Sequence, residues 1–412
     1  MMRINKSLLL FVTCSCLLDT LVGMKVECKV TPLMQAADAG EFDKVNELLD
    51  KEHVDVNEKG PAGTTALLSA VFGQYGHGRS GVYDAIVARL IQAGSDVNAK
   101  LEGNGRSSLI VAAYSGFNKA IRRLLYAGAK IDAQMQDGMT ALMHAVISDR
   151  GDQDKMETVA VLLDGGARTD IKDQQGRTAL DLAGALKEDN LIVKNAVLKM
   201  LRVADNQGIT PKEKTTWFWA VETGDIDTVE SMLQKNPNLA KIKSFNGSTA
   251  LMKVIKEANN GSWEGFDKKG AEVLDELIKY SDINAQDIIG VTALMYAAYG
   301  SSLWANKRVI QALFAAHPDL DKQDADGSTA LIMATRQEHA DTVTTLLDAG
   351  ANKNLKDNDG KTALDYAREG KNGEIIKLLE AAPEQKIAEK KQRPPAPKRP
   401  APKLPKKKCA KK

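Results

Sequence analysis

A five-residue motif, Gly-x-Thr-Ala-Leu, recurs along the chain and limits its fold more than any other feature. Within each half of the chain the motifs are spaced 42, 33 and 38, then 43, 37 and 33 residues apart, so the shortest period is 33 residues. Repeats of about 20 to 50 residues indicate an array of one small stacked unit rather than several unrelated globular domains. The motif begins at Gly63, Gly138, Gly176, Gly247, Gly290, Gly327 and Gly360, and a variant, GRSSL, begins at Gly105.

Two further units lack the glycine and begin at Thr31 and Thr215, which makes ten units. Corresponding units of the two halves lie 184 to 189 residues apart, and QGRTALDLA at 175–183 returns as DGKTALDYA at 359–367. We interpret this as the duplication of a five-unit block. The missing hairpin glycine before Thr215, together with Pro211, leaves room for a bend between the blocks.

Residues 324–354 show what one unit predicts. Gly327 supplies the positive φ of a tight turn, and Thr329 follows as a helix N-cap. A second helix carries Val343 and Leu346 at helical spacing, and Gly350 ends it in the left-handed region. Neither short helix can bury its apolar stripe alone, so the pattern predicts stacking on neighbouring units.

The 33-residue period, TPLM at Thr31, LIQAGSDVNAK at Leu90 and LLDAGANKN at Leu346 resemble ankyrin repeats of bacterial type, over about residues 31–382. The resemblance implies an all-α solenoid of helix–turn–helix units with short β-hairpin or turn connections, used to bind other proteins. The family usually has Thr-Pro-Leu-His; here Ala replaces Pro in most units and Met, Ile or Asp replaces His. We therefore expect the His-centred hydrogen bonds between units to be lost.

The resemblance also implies that the residues before each motif glycine form tips that project toward a binding groove. Ile288 and Ile289 form an apolar pair where solvent is expected, which indicates a partner contact or packing on the neighbouring tip. The tip residues expected to bind a partner are Asn104, Asp137, Gln175, Asn246, Ile288, Ile289, Asp326 and Asp359.

Several units exceed 33 residues through insertions between their two helices. These are either tolerated surface loops or an edge of aromatic partner contacts. By contrast, Trp217 and Trp219 are predicted to fill the seam between the two blocks. The candidate aromatic contacts in the insertions are Tyr75, Trp263, Phe266 and Trp304.

Catalytic and metal-binding patterns are missing from the sequence. The five histidines are scattered over different units without ligand spacing, and cysteine is absent from 29 to 408. Neither a P-loop nor a Gly-x-Ser-x-Gly motif is present. We therefore predict a non-enzymatic protein with no catalytic residues, no cofactor and no metal site.

The first residues have the features of a secretory signal. Arg3 and Lys6 precede an apolar stretch from Leu8 to Leu18, which suits a signal-peptide core and is too short to span a membrane. This predicts export to the periplasm or the exterior. The alternatives are a cytoplasmic protein that starts at Met24, or a membrane-tethered one if the segment is uncleaved or lipidated.

The last thirty residues, 383–412, form a basic tail. They hold twelve Lys and Arg, two Glu and seven of the twelve prolines, so +10 of charge sits here and residues 1–382 carry −8. Such a composition predicts an extended, disordered segment that attaches to an anionic surface or polymer. Pro394, Pro397 and Arg399 also match a polyproline ligand of SH3-type modules. Nucleic acid is disfavoured, because no aromatic residue interleaves the lysines.

Taken together, the sequence predicts an exported, monomeric scaffold that binds a protein through its tips and first helices. Two alternatives remain: attachment to the cell envelope or another anionic surface through the tail, and a host-directed effector. The predicted organisation is a signal peptide at 1–23, a lead-in at 24–30, repeats at 31–202, a junction at 203–214, repeats at 215–382 and the tail at 383–412.

Overall fold

The computed structural model describes residues 30–51, 54–77, 81–148, 151–186, 191–202, 209–259, 268–300 and 303–382. These residues form twenty α-helices in ten successive pairs, with two 3₁₀ turns, Pro61–Gly63 and Pro237–Lys241, and no strand among them. The first block contains α1 (Pro32–Ala39), α2 (Phe42–Leu49), α3 (Ala66–His77), α4 (Gly81–Gln92), α5 (Ser108–Ser115), α6 (Asn118–Tyr126), α7 (Ala141–Ile147), α8 (Asp152–Asp164), α9 (Ala179–Gly184) and α10 (Leu191–Arg202). The second block contains α11 (Pro211–Thr223), α12 (Ile226–Lys235), α13 (Ala250–Asn259), α14 (Lys268–Tyr280), α15 (Ala293–Tyr299), α16 (Leu303–Ala315), α17 (Ala330–Arg336), α18 (Ala340–Asp348), α19 (Ala363–Glu369) and α20 (Gly373–Ala381).

The threonine of the repeated motif starts the first helix of a unit. Thr329 accepts a hydrogen bond from the backbone N–H of Ile332 at 3.3 Å, as predicted. In the repeated TALD phrase the aspartate completes a reciprocal cap: Asp365 accepts from the Thr362 N–H at 2.8 Å, and Thr362 accepts from the Asp365 N–H. Because a lost N-cap costs about 1 kcal/mol, the motif stabilises helices too short to persist alone.

Stacking joins like helices of successive units. Within each block every odd-numbered helix packs on the next odd-numbered one, and second helices such as α2, α4, α6, α8 and α10 pack on each other in turn. The core is built largely from Ala, Leu, Val and Ile, and each block has its own continuous cluster of buried side chains. The predicted all-α solenoid is confirmed; of the predicted β-hairpins only isolated bridges are present in the described chain, such as Lys243 with Thr249.

The tips are linked by a ladder of backbone hydrogen bonds. Gln136 N–H donates to Asn104 O at 3.0 Å, and Gln174 N–H donates to Asp137 O at 2.9 Å. Each tip glycine has positive φ, 82° at Gly138, and a Cβ there would lie 2.8–2.9 Å from the backbone of the next tip. At Gly138 glycine is therefore required both by the turn and by the approach of the neighbouring unit.

Glutamine side chains form hydrogen bonds between units, where the loss of the family histidine was expected to remove such bonds. The Gln286 amide donates to Gly290 O at 2.6 Å in its own tip and to Gln323 O at 2.9 Å in the next unit. Gln323 repeats this one unit later, with Gly327 O and Lys356 O, and Gln134 makes the same pair of bonds in the first block. The loss of the family histidine does not leave the units unlinked.

The linear stack ends at the junction between the blocks. Helix α11 begins at Pro211, four residues before the predicted start of its unit, with Thr210 as N-cap. It does not continue the stack on α9 and α10; instead it packs against α6 and α8, the second helices of the third and fourth units. The bend left open by the sequence is present, because the unit that should continue the ladder has no tip.

Replacing Gly138 with alanine tests the contact between tips, and Gly176 provides the matched control. Both have positive φ, but nothing lies within 4 Å of a Cβ at Gly176. We expect G176A to lose about 1 kcal/mol of unfolding free energy from backbone strain, and G138A roughly 2 to 3 kcal/mol. Urea denaturation followed by circular dichroism measures both; equal losses would show that the tip contact contributes nothing.

Candidate functional site

The inner face of the first block, made of its tips and odd-numbered helices, carries an apolar stripe. Phe72, Tyr114 and Ile147 occupy the same position in three successive units, seven residues after the cap of each first helix. The first two are half-buried and Ile147 is 38% exposed. The Tyr114 ring meets the His144 ring edge-on, with centroids 6.1 Å apart. This surface suits apolar contact with another molecule.

His144 lies beneath the stripe as a buried side chain. Its Nε2 is 3.2 Å from Met135 Sδ, and burial, with the nearby charge of Arg106, lowers the pKa of His144 to about 4. The ring is therefore neutral at physiological pH, and its role here is packing.

The predicted tip residues of the first block line one edge of this face. Asn104 and Asp137 are half-buried and Gln175 is exposed. Asn104 Oδ1 accepts from Arg106 N–H and Asp137 Oδ1 accepts from Met139 N–H, each at 2.9 Å. These side chains shape the turns, and partner contact at them stays a prediction.

In the second block, Asp326 and Asp359 are exposed at their tips, as expected. Asn246 is not: its side chain is 6% exposed and donates to Glu157 of α8 at 2.8 Å. Ile288 and Ile289 are half-buried, because both pack against the core of the first block. For these three residues the expected solvent exposure is wrong, since the first block lies where solvent was expected.

The predicted aromatic contacts in the insertions fall where the structure does not describe the side chains. Tyr75 belongs to α3 and Trp304 to α16, but their side chains are not described, and Trp263 and Phe266 lie outside the described residues. The tail motif of Pro394, Pro397 and Arg399, the predicted signal peptide and the four cysteines lie outside them as well.

The two tryptophans that were expected to fill the seam both belong to α11. Trp217 is fully buried in the core of the second block. Trp219 is half-buried, and the Arg123 guanidinium of the first block lies 4.6 Å from the centroid of its ring. The prediction of a core role is confirmed for Trp217, and Trp219 provides a contact between the blocks.

Sequence reasoning missed a cluster of buried charges between the blocks. Arg122 of α6, 1% exposed, pairs with Glu157 at 3.3 Å and with Glu222 of α11 at 2.6 Å. Lys253 of α13, 2% exposed, lies 2.5 Å from Glu157 and 3.6 Å from Glu222. Lys256 contacts the other oxygen of Glu157 at 3.2 Å. Acids and bases therefore alternate across the seam, which compensates for their removal from water.

The two carboxylates of the cluster respond differently to this environment. Burial alone would raise the pKa of Glu157, but the charges of Lys253, Lys256 and Arg122 hold it well below its ordinary value. Burial raises the pKa of Glu222, and its cationic neighbours only partly offset this. A signal was present in the sequence: Lys253 and Lys256 stand at unit positions that hold Ser69 and Phe72 in the first block.

A depression of about 250 Å³ lies on the inner face of the last two units, and it is lined by charged residues. Arg336, Glu338 and Glu369 surround Tyr366, and the Arg336 guanidinium lies 5.3 Å from the Tyr366 ring centroid. Among the described residues, no group of three or more His, Cys, Asp or Glu is placed to hold a metal ion. No helix in the described ranges is long and apolar enough to cross a membrane.

Stacked helix pairs with linked tips define a repeat solenoid. Comparison with known families identifies the type of repeat. The family model for ankyrin repeats matches residues 77–173, 109–195, 267–357 and 303–390, more than half of the chain. The chain belongs to the ankyrin-repeat family. Ankyrin repeats generally mediate protein–protein interaction.

Individual relatives are distant. The chain is 28% identical over 268 residues to ankyrin repeat and KH domain-containing protein mask-1 of Caenorhabditis elegans, covering 64% of this chain and 9% of the relative. It is 24% identical over 340 residues to E3 ubiquitin-protein ligase KEG of Arabidopsis thaliana, covering 81% and 19%. It is 32% identical over 190 residues to mitochondrial disaggregase of Bos taurus, covering 43% and 23%. The chain thus spans less than a quarter of each of these relatives.

The lowered pKa of His144 predicts a pH dependence. Between about pH 4 and 6.5 the folded chain binds fewer protons than the unfolded chain, so this contribution to stability is complete above pH 6.5 and is lost as the pH falls. From pH 7 to pH 5 the wild type should lose about 2 kcal/mol more unfolding free energy than His144→Leu. Urea denaturation of both proteins at the two pH values measures this; parallel pH profiles would contradict it.

Proposed function

We propose that this chain is a non-enzymatic scaffold that binds a protein partner through the inner face of its first block. The proposal is carried by the apolar stripe of Phe72, Tyr114 and Ile147, edged by the tips of Asn104 and Asp137. A row of apolar side chains with polar residues around it is the arrangement found at the centre of protein interfaces.

The relation between the blocks supports this choice of surface. The second block packs on α6 and α8, which are second helices, and therefore lies on the outer side of the first block. In the second block, by contrast, Asn246 is buried and the Ile288–Ile289 pair of the inner face is half-buried, both against the first block. The first block thus offers the longer continuous inner face to a partner.

A rigid surface is an advantage for binding. The tips are tied to each other by backbone bonds and by the amides of Gln134 and its equivalents. A preformed groove loses little conformational entropy when a partner binds. The charged depression around Tyr366 in the last two units provides a second, separate contact area.

An exposed apolar residue on each side of the solenoid makes a matched test. Ile147→Asp places a charge in the stripe, and Leu191→Asp places the same charge at an exposed position, 57% accessible, at the start of α10. Affinity capture from lysates of the source organism and of candidate hosts should recover a partner with wild type and L191D, and at least about tenfold less with I147D. Equal recovery by both variants would refute the proposed surface.

We further propose that the chain is exported and that its tail attaches to anionic surfaces. The basis is the apolar stretch from Leu8 to Leu18 and the net charge of +10 in residues 383–412. Electrostatic attachment weakens as salt screens the charges.

Deleting residues 383–412 should abolish binding to anionic vesicles at about 0.15 M salt and leave the thermal melt unchanged, since the tail adds no core. Vesicle sedimentation and circular dichroism measure the two properties. Undiminished vesicle binding by the truncated chain would rule out the tail as the anchor.

A further inference from the structure

Three lysines on the inner face of the second block form ion pairs with one helix of the first block. Lys214 comes from α11, and Lys253 and Lys256 come from α13. Their partners, Glu157 and Asp164, are seven residues apart on α8, about two helical turns or 10 Å. We propose that this face is a receptor for an acidic helix with two carboxylates at that spacing, and that α8 occupies it within the same chain.

The Glu157 end of the site is built from side chains of several elements. Lys253 and Lys256 contact its two oxygens at 2.5 and 3.2 Å, and the Asn246 amide donates to it at 2.8 Å. Arg122, beside it on the first block, is shared with Glu222 of the second block. The Lys253, Lys256 and Asn246 contacts to Glu157 are hydrogen bonds to a charged acceptor, so the site recognises a carboxylate rather than a general polar group.

The part of the site around Asp164 is more deeply buried than the part around Glu157, and Asp164 is also hydrogen-bonded there. Asp164 is 1% exposed and Lys214 is fully buried, with their charged atoms 2.9 Å apart. The Ser244 hydroxyl and the Phe245 N–H both donate to Asp164, the latter at 3.1 Å. Removing either partner of such a pair leaves an uncompensated buried charge, so the fit requires Asp164 as well as Glu157.

Apolar packing lies beside the Glu157 contacts, one residue earlier on α8. Met156 of α8 meets Ile288 and Ile289, with Tyr296 and Asn246 around a remaining cavity of only about 10 Å³. A cavity of that size holds about one water molecule, so the packing around Met156 is close. The recognised pattern is therefore two carboxylates on one helix face together with an apolar side chain.

The duplicated block shows that this recognition is particular to one pair of faces. The first block has Ser69 and Phe72 where the second has Lys253 and Lys256, so its inner face lacks the cations. Helix α18 carries Asp341 and Asp348, 184 residues after Glu157 and Asp164, and both are exposed. The same acidic pattern thus exists on a second helix without a receptor, and it supplies a matched control.

An intramolecular helix competes at an effective concentration of the order of millimolar. An external acidic helix therefore binds the receptor only if it outcompetes α8, and its binding separates the two blocks. This consequence goes beyond the proposed use of the first block, since it concerns a different surface and a different partner chemistry.

The test uses the full chain and a labelled peptide of residues 151–166, which contains α8. Glu157→Gln with Asp164→Asn should increase the radius of gyration in small-angle X-ray scattering. It should also bind the peptide at least about tenfold more tightly than wild type in fluorescence anisotropy, because the tethered competitor is gone. Lys253→Met with Lys256→Met should open the chain as well but bind no peptide.

The controls separate the pattern from charge alone. Asp341→Asn with Asp348→Asn should match wild type in both measurements, and peptides that are scrambled or carry the same two amide substitutions should not bind. An unchanged radius and peptide affinity in the Glu157/Asp164 variant would overturn the proposal, as would equal binding of the scrambled peptide, which would indicate a general polyanion site. If the double variant loses its cooperative melt, Glu157→Gln alone is measured against the same outcomes.

Discussion

A helix of six to thirteen residues with one apolar side can bury that side only against a neighbour of the same kind. This constraint explains why the chain repeats a motif rather than building one large core. Each capped helix presents Ala and Leu to the next, and the backbone bonds between tips fix the spacing of successive units. At Gly138, Gly247, Gly290 and Gly327 glycine is also required because a Cβ would lie 2.7–2.9 Å from the neighbouring backbone.

The stacking pattern changes at the one junction where a unit without a tip follows another unit. The unit of α11 has no hairpin, and its helix packs across α6 and α8 instead of extending the stack. A seam of this kind buries polar surface on both sides, and here it is compensated by alternating acids and bases such as Arg122, Glu157 and Lys253. The unit without a tip therefore marks the place where the stack changes direction and where the first block covers part of the second.

Most of the fold could be predicted from the sequence, because its causes are local. The Thr329 cap, the Gly350 helix end and the buried Val343 and Leu346 all follow from residue type and spacing within one unit. The candidate site was harder to predict. The burial of Asn246 and Ile289 depends on contacts with residues about 90 or more positions away, which no periodicity reports. A position-by-position comparison of the two blocks would have drawn attention to Lys253 and Lys256.

Duplicated blocks with a shared docking mode face a hazard. Suppose that the inner face of either block could bind the outer helices of any other block. Each molecule would then have one free inner face and one free outer face. Chains would add to one another in an open-ended fibre. The substitution of Ser69 and Phe72 by Lys253 and Lys256 in only one copy makes the two faces unequal. If such cations are what docking requires, the inner face of the first block offers no match to the outer helices of a second copy, and an open-ended fibre cannot grow.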